Sequence, residues 1–332
     1  MSTRIAVLGA GSWGTTLAIL AATNGCRTLL WGHDSEHINA LRQDRENKQY
    51  LPGHKFPETL TVTDDLKEVA SFSRLILVSV PSHAFKTTLL KLKTYLSRTI
   101  QIAWATKGFN TDNGCLLHEV ISEIFSSETP AALLSGPSFA KEVAAELPTA
   151  ITLASSHPDF SNNLANILRT ERFRIYTNSD LIGVEVGGAV KNVMAIAAGI
   201  ADGLGFGANT RAALITRGLT EMIRLGVIMG GKQDTFMGLA GLGDLILTCT
   251  DNQSRNRRLG LALGKGQALN DAMLEIGQEI EGISASKMTY LLARKYAIEM
   301  PITEQTYKVL YEHLDPKLAV QNLLAREQKA ES

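Results

Sequence analysis

Lys191 is the first residue of this 332-residue sequence that asks for a chemical explanation. It lies in a helix-like run, Leu181 to Ala201, whose one other charge is Glu185. At helical spacing it shares a face with Gly187, Gly188, Ala195 and Ala198, which strips bulk from around a single ammonium group. Close helix packing would account for the small residues, but a lysine among them without an evident local partner is expensive to bury. A ligand cleft explains both features. Desolvation lowers a lysine's pKa, which makes such a residue a usable proton donor or acceptor near neutral pH. Asp244 is the one charge in GLAGLGDLILTCT, Gly238 to Thr250, where it reads either as a helix N-cap or as a functional carboxylate.

Just beyond it, Ser254, Arg255, Asn256, Arg257 and Arg258 open a predicted helix. Arginine there faces the positive end of the dipole, which is unfavourable on an ordinary surface helix. The placement becomes favourable if an anion is held, because amide N–H groups, a guanidinium fork and Ser/Asn donors then converge on it. Three arginines on a solvated face, with Asp251 offsetting part of the repulsion, is the plainer alternative. Lys107 follows the apolar run Thr99 to Thr106, and Gly136, Pro137 and Ser138 follow Ala131 to Ser135. Ligands of open α/β sheets bind outside the carboxyl ends of the strands, where both loops would fall.

These residues need a scaffold, and the opening of the chain supplies its signature. Ile5 to Leu8 runs straight into GAGSWG, followed by a helix-like run to Asn24, Gly25, and a second strand, Thr28 to Trp31. In such a βαβ unit Gly9 permits the tight turn, Gly11 lets backbone amides approach a pyrophosphate, and Gly14 lets the helix pack on the strand. The place after the second strand that usually holds an acid for the ribose 2′-hydroxyl holds Gly32, then His33 and Asp34. Apolar runs at Leu75 to Val80, Thr99 to Thr106, Ala131 to Ser135, Thr149 to Ala154 and Phe173 to Tyr176 complete a sheet buried on both faces. From Leu181 strands give way to helices, the last three amphipathic and suited to bundle or subunit packing. The expected fold is therefore α/β: an N-terminal Rossmann-type, doubly wound, mostly parallel sheet over residues 1–180, then an all-α domain over 181–332.

Composition narrows the partners. Lys plus Arg equals Asp plus Glu, 33 each, so net charge gives no support to a nucleic acid or membrane surface. No metal-ligand cluster stands out. No stretch is read as a signal peptide or membrane span. Cys26, Cys115 and Cys249 lack CxxC spacing and point to reduced thiols in the cytoplasm.

GAGSWGTTLA, SVPSHAF, ATKGF, SGPSFAKEV, GGAVKNVMAIAAG, GLAGLGDLILTCT and NQSRNRRLG, in this order, resemble the bacterial NAD(P)-dependent glycerol-3-phosphate dehydrogenases over essentially the whole chain. The resemblance implies interconversion of sn-glycerol 3-phosphate and dihydroxyacetone phosphate with NADH/NAD or NADPH/NADP, in the direction that feeds phospholipid synthesis. It implies cofactor contacts at Ser12, Trp13, His33, Lys107, Ala140, Arg255 and Glu281. Substrate contacts carry over to Lys107, Gly136, Ser138, Lys191, Asp244, Ser254, Arg255 and Asn256, with Lys191 as proton acceptor. Many relatives carry arginine after the second strand, so Gly32, His33 and Asp34 are a departure that bears on NADPH preference. The residues fit the chemistry: Lys107 and Lys191 stabilise the developing oxyanion, Lys191 moves the proton, Asp244 orients it, and Ser254, Arg255 and Asn256 hold the phosphate. A homodimer is expected from the helical half. The rivals are a 3-hydroxyacid dehydrogenase on the same plan and a nicotinamide sensor without turnover.

Overall fold

The computed structural model describes residues 3–327; residues 1–2 and 328–332, at the outer ends of the two expected domains, lie outside the described residues. Two compact units form, Met1–Asn110 with Cys115–Glu185, and Thr111–Gly114 with Val186–Ser332.

In chain order the first unit contains β1 (Arg4–Leu8), α1 (Ser12–Thr23), β2 (Arg27–Trp31), α2 (Ser35–Asp44), β3 (Leu60–Thr63), α3 (Leu66–Phe72), β4 (Leu75–Val78) and α4 (Ser82–Lys93). It continues with β5 (Gln101–Trp104), α5 (Leu117–Ile124), β6 (Ala131–Ser135), α6 (Ala140–Ala144), β7 (Thr149–Ala154), α7 (Pro158–Leu168) and β8 (Phe173–Asn178). The strands form one sheet in the order β3-β2-β1-β4-β5-β6-β7-β8. Every pairing is parallel except β6 with β7, where Leu134 faces Leu153. Residues 136–148 join β6 to β7, and the one helix they carry is the five-residue α6.

β1, β4 and β6 are apolar and buried along almost their whole length, as strands covered on both faces must be. The apolar runs Leu75 to Val80 and Thr99 to Thr106 are longer than the strands within them, β4 and β5. Val80 and Thr106 already belong to the loops that leave the sheet, where Thr106 Oγ1 donates to Val80 O at 2.6 Å. α2 and α3 lie outside the apolar runs because their buried positions are few and interspersed with charge, and β3 because it is four residues long and half threonine.

α8 (Leu181–Gly203) begins in the first unit and ends in the second. By length and apolar composition it is sufficient to cross a membrane, contrary to the sequence expectation; yet 83% of its most apolar window is buried inside the protein, as in a core helix. There follow α9 (Ala208–Ile228), α10 (Gln233–Phe236), a π-helical turn (Leu239–Gly243), α11 (Asp244–Thr250), α12 (Arg255–Gly264), α13 (Leu269–Ile276), α14 (Glu281–Lys295), α15 (Pro301–Tyr311) and α16 (Pro316–Leu324). Gly207 stands at the N-cap of α9 without a side-chain bond. Ile196, Ile200, Leu259, Leu263, Val309 and Leu310 form part of a core in this unit.

Candidate active site

The glycine-rich turn lies where β1 and β4 end side by side, at the point where strand order reverses and ligands of open α/β sheets bind. Ser79 N donates to Leu8 O at 2.7 Å and Gly9 N to Trp31 O at 2.8 Å, which brings the chain past three strand ends. Gly9 has φ +115°, and a Cβ on it would lie 2.7 Å from Ser79 O, so the turn requires glycine twice over. A Cβ on Gly14 would collide with the Gly9 carbonyl, which fixes how closely α1 lies on the strand end. Gly11 differs: a Cβ there meets nothing within 4 Å, and no side chain caps the first turn of α1. Open space against uncapped helix amides is what a pyrophosphate requires.

Around that turn, Thr16 Oγ1 donates to Ser12 O (2.9 Å) and Ala140 O (3.1 Å), drawing the start of α6 beside the start of α1. Trp13 is half-buried against the core. Asn47, fully buried, donates to Ala10 O (2.9 Å) and Thr15 Oγ1 (2.8 Å), and so holds the glycine-rich turn from outside. Nothing in the sequence singles out Asn47, which lies among Arg45, Glu46, Lys48 and Gln49. His33 is exposed beyond β2, while Asp34 Oδ1 accepts from Glu36 N and His37 N as the N-cap of α2. Lys107 Nζ and Ser138 Oγ each donate to Gly136 O at 3.0 Å, so these three expected substrate residues share one carbonyl.

In the second unit, Lys191 Nζ donates to Asp244 Oδ1 at 2.6 Å and to Thr248 Oγ1 at 2.8 Å. The Lys191 and Asp244 side chains are 8% and 1% exposed. Asp244 is not an N-cap: it continues the π-helical turn into α11 and turns its carboxylate to the lysine. Thr248, one helical turn further, donates its hydroxyl to Asp244 O at 2.6 Å, which leaves Oγ1 lone pairs for Lys191. Its spacing of four from Asp244, which puts the two on one helix face, is the signal the sequence carries for it. The Gly/Ala face of α8 is not itself a cleft. A Cβ on Gly187 would lie 2.8 Å from Ala240 O, and Gly199 abuts the backbone of α12, so these glycines permit close helix packing.

The start of α12 is tied down on several sides. Ser254 Oγ accepts from Arg257 N at 3.2 Å as N-cap, leaving its hydroxyl hydrogen to donate elsewhere. Asn256 Oδ1 accepts from Gly282 N and its Nδ2 donates to Asn192 Oδ1, both at 2.9 Å, which joins α12 to α14 and α8. Burial pulls the pKa of Arg255 down, the charges of Glu281 and Glu279 pull it back, and neighbouring Arg258 pushes it down again. Arg257 does not belong to an anion cluster. It is buried in an ion pair with Asp202, a correction to the three-arginine reading.

Two further buried carboxylates went unassigned from sequence. Glu185 on α8 accepts from His118 N at 3.1 Å and pairs with His118 Nδ1 at the start of α5. Burial raises the pKa of Glu185; burial alone would lower that of His118, but the bond and charge of Glu185 bring it above the usual value. Glu221 on α9 accepts from Ile302 N, Thr303 N and Thr303 Oγ1 at the start of α15. No grouping of three or more His, Cys, Asp or Glu that could hold a metal occurs among the described residues.

Comparison with known proteins adds independent findings. A family model described as NAD-dependent glycerol-3-phosphate dehydrogenase N-terminus matches residues 4–161, and its C-terminal counterpart matches residues 180–321. The chain is 56% identical over 328 residues to glycerol-3-phosphate dehydrogenase (NAD(P)+) of Aeromonas hydrophila, covering 98% of each. It is equally similar, 56% over 328 residues and 98% of each, to the enzyme of that name from Methylococcus capsulatus. A crystal structure of glycerol-3-phosphate dehydrogenase from Coxiella burnetii superposes with a TM-score of 0.95 at 52% identity, covering 98% of this chain and 99% of that one.

Proposed function

The chain belongs to the NAD-dependent glycerol-3-phosphate dehydrogenase family, and we propose that within it Lys191 moves the proton while the start of α12 anchors the substrate phosphate. Its reaction is the interconversion of dihydroxyacetone phosphate and sn-glycerol 3-phosphate. When bound, a nicotinamide cofactor, NAD or NADP, would supply or take up the hydride. The family membership sets aside the hydroxyacid dehydrogenase and sensor alternatives.

Reduction of the ketone develops negative charge on its oxygen, which then needs a proton. Lys191 Nζ delivers it in this scheme, with Asp244 and Thr248 fixing the direction of the ammonium group. Lys107 adds a second ammonium group for the oxyanion, with Gly136 and Ser138 as its companions in substrate binding. Ser254, Arg255 and Asn256 present a hydroxyl, a guanidinium and an amide at a helix N-terminus, a set suited to a dianion. Gly9, Gly11, Ser12, Trp13 and Gly14 would receive the pyrophosphate, with His33, Lys107, Ala140, Arg255 and Glu281 completing the cofactor contacts. Residues 1–180 are accordingly assigned to cofactor binding and 181–332 chiefly to substrate.

The observation that carries this reading is the buried Lys191–Asp244 pair, 2.6 Å apart. Lys191→Ala should lower kcat by about 10²- to 10⁴-fold with NADH affinity nearly unchanged. Turnover within a few-fold of the parent would remove Lys191 from the role.

We further assign the enzyme to the cytoplasm, supported by three unbridged cysteines, and its product to phospholipid synthesis. A homodimer through the last helices is supported by exposed Leu291, Leu318 and Leu324, and sedimentation equilibrium tests it directly.

A further inference from the structure

Asp202 sits in the last turn of the 23-residue α8, and Arg257 in the first turn of α12. Each is at the wrong end of its own helix for the dipole, acid at the negative end and base at the positive end. They meet instead: Arg257 Nη1 donates to Asp202 Oδ2, with both side chains 9% exposed. Arg211 on α9 closes on the same carboxylate with bonds of 3.1 and 2.9 Å from Nη1 to Oδ1 and Oδ2. Arg257 Nε reaches the other way, to Asn252 Oδ1 at 3.1 Å, in the loop that enters α12.

We infer that Asp202 is a positioning residue for the phosphate site, acting through Arg257 and Asn252 on the loop and first turn that carry Ser254, Arg255 and Asn256. The Arg257 amide is also the group that Ser254 Oγ caps, so one residue fixes the turn by backbone and by side chain. Within the loop, Ser254 N donates to Asp251 O and Gln253 N to Asp251 Oδ1. Below it α8 and α12 touch backbone to backbone, since a Cβ on Gly199 would strike Arg257 O. The helices therefore cannot approach further, and the Asp202–Arg257–Asn252 chain sets where the loop rests on that contact. A buried ion pair is weak evidence for stability, because apolar residues of similar volume often do as well. Its geometric effect on the neighbouring donors gives it a use.

The inference rests on the phosphate reading proposed above, and the test separates the two. Initial rates with NADH are compared for dihydroxyacetone phosphate and for dihydroxyacetone, which lacks the phosphate, in Arg255→Ala, Asp202→Asn and Asn252→Ala. Arg255→Ala examines the reading itself: an equal loss for both ketones at saturating NADH refutes the phosphate site and this inference with it. If Arg255→Ala discriminates, Asp202→Asn should lower kcat/KM for the phosphorylated ketone by at least about tenfold while barely changing the other, as loss of remote binding energy predicts. A merely structural role would lower both together, and that result, or no change in either, overturns the inference. Should Asp202→Asn not accumulate as folded protein, Asn252→Ala at the exposed end of the chain carries the same comparison at about three- to tenfold, the size of one hydrogen bond. Equal rates for parent and Asn252→Ala on the phosphorylated ketone would then overturn it.

Discussion

Lys191 Nζ lies 2.6 Å from Asp244 Oδ1 across two helices, and together they are almost sealed from solvent. Removing one member of a buried pair leaves an uncompensated charge and costs about 3 to 5 kcal/mol, whereas replacing both by apolar residues is often neutral or stabilising. Lys191→Met should therefore lower the thermal midpoint, and Lys191→Met with Asp244→Leu should restore much of it while turnover stays lost. Calorimetry beside steady-state kinetics checks this. A double variant no more stable than the single one would mean that the pair holds the fold, and its link to proton transfer would lose its force.

Much of the sheet was legible because buried parallel strands are continuous apolar runs, and β6 and β7 fall where those runs lie. The glycine-rich turn was legible because its chemistry is local. What was not legible depends on residues far apart in sequence. Lys191 has no evident local partner in the sequence, because Asp244 is 53 positions away, and their pairing was expected only from the chemistry that both would serve. The glycine face of α8 resembled a cleft because sequence cannot show that Ala240 O fills the space beside Gly187. Arg255 and Arg257 are alike on paper, and only Asp202 on a different helix separates their roles.

Glu221 supplies a pH dependence. Burial outweighs the three hydrogen bonds from Ile302 and Thr303 and raises its pKa from 4.5 to about 7. The native state thus binds more protons than the unfolded chain between those values, so this contribution is fully present below the unfolded pKa. It is lost as pH rises toward 7, by an amount on the order of 3 kcal/mol. Glu221→Gln should flatten thermal stability against pH across that window. His118 and Glu185 titrate in the same direction, so the readout is the difference between parent and variant. Parallel curves would show that Glu221 stays charged throughout.

Cofactor choice turns on the loop after β2. Placing an acid at Gly32 is a poor test, since its Cβ would lie 2.9 Å from Ile38 Cδ1 and 3.1 Å from Ala10 Cβ. His33 is exposed and Asp34 is engaged in capping α2, so position 33 is the better handle. His33→Asp should shift the NADH-to-NADPH ratio of kcat/KM toward NADH by at least about tenfold, because a carboxylate there repels a 2′-phosphate. An unchanged ratio would place the discriminating group elsewhere.

The distance between Gly187 and Ala240 gives the remaining prediction. Gly187 stands one helical turn before Lys191 on α8, and Ala240 lies in the π-helical turn that leads into Asp244. A methyl group at 187 would sit 2.8 Å from the Ala240 carbonyl, which is backbone and cannot rotate away. The π turn must therefore retreat, and Asp244, four residues further on, retreats with it. Overpacking of this kind costs about 1 to 3 kcal/mol. Displacing a proton-transfer group by about 1 Å costs on the order of 10²-fold in rate. Gly187→Ala should accordingly lower kcat far more than its modest loss of stability implies, with KM for NADH little changed, because the nucleotide cradle is built from other elements. Gly203→Ala is the control: it too would clash with backbone, at Leu261 O, but lies at the far end of α8 from the Lys191–Asp244 pair. It should cost comparable stability, and because Leu261 lies on α12 its kinetic effect should fall on KM for dihydroxyacetone phosphate and much less on kcat. Equal kinetic damage from the two would show that α8 transmits strain along its length, and the π turn would no longer be the device that sets Asp244 against Lys191.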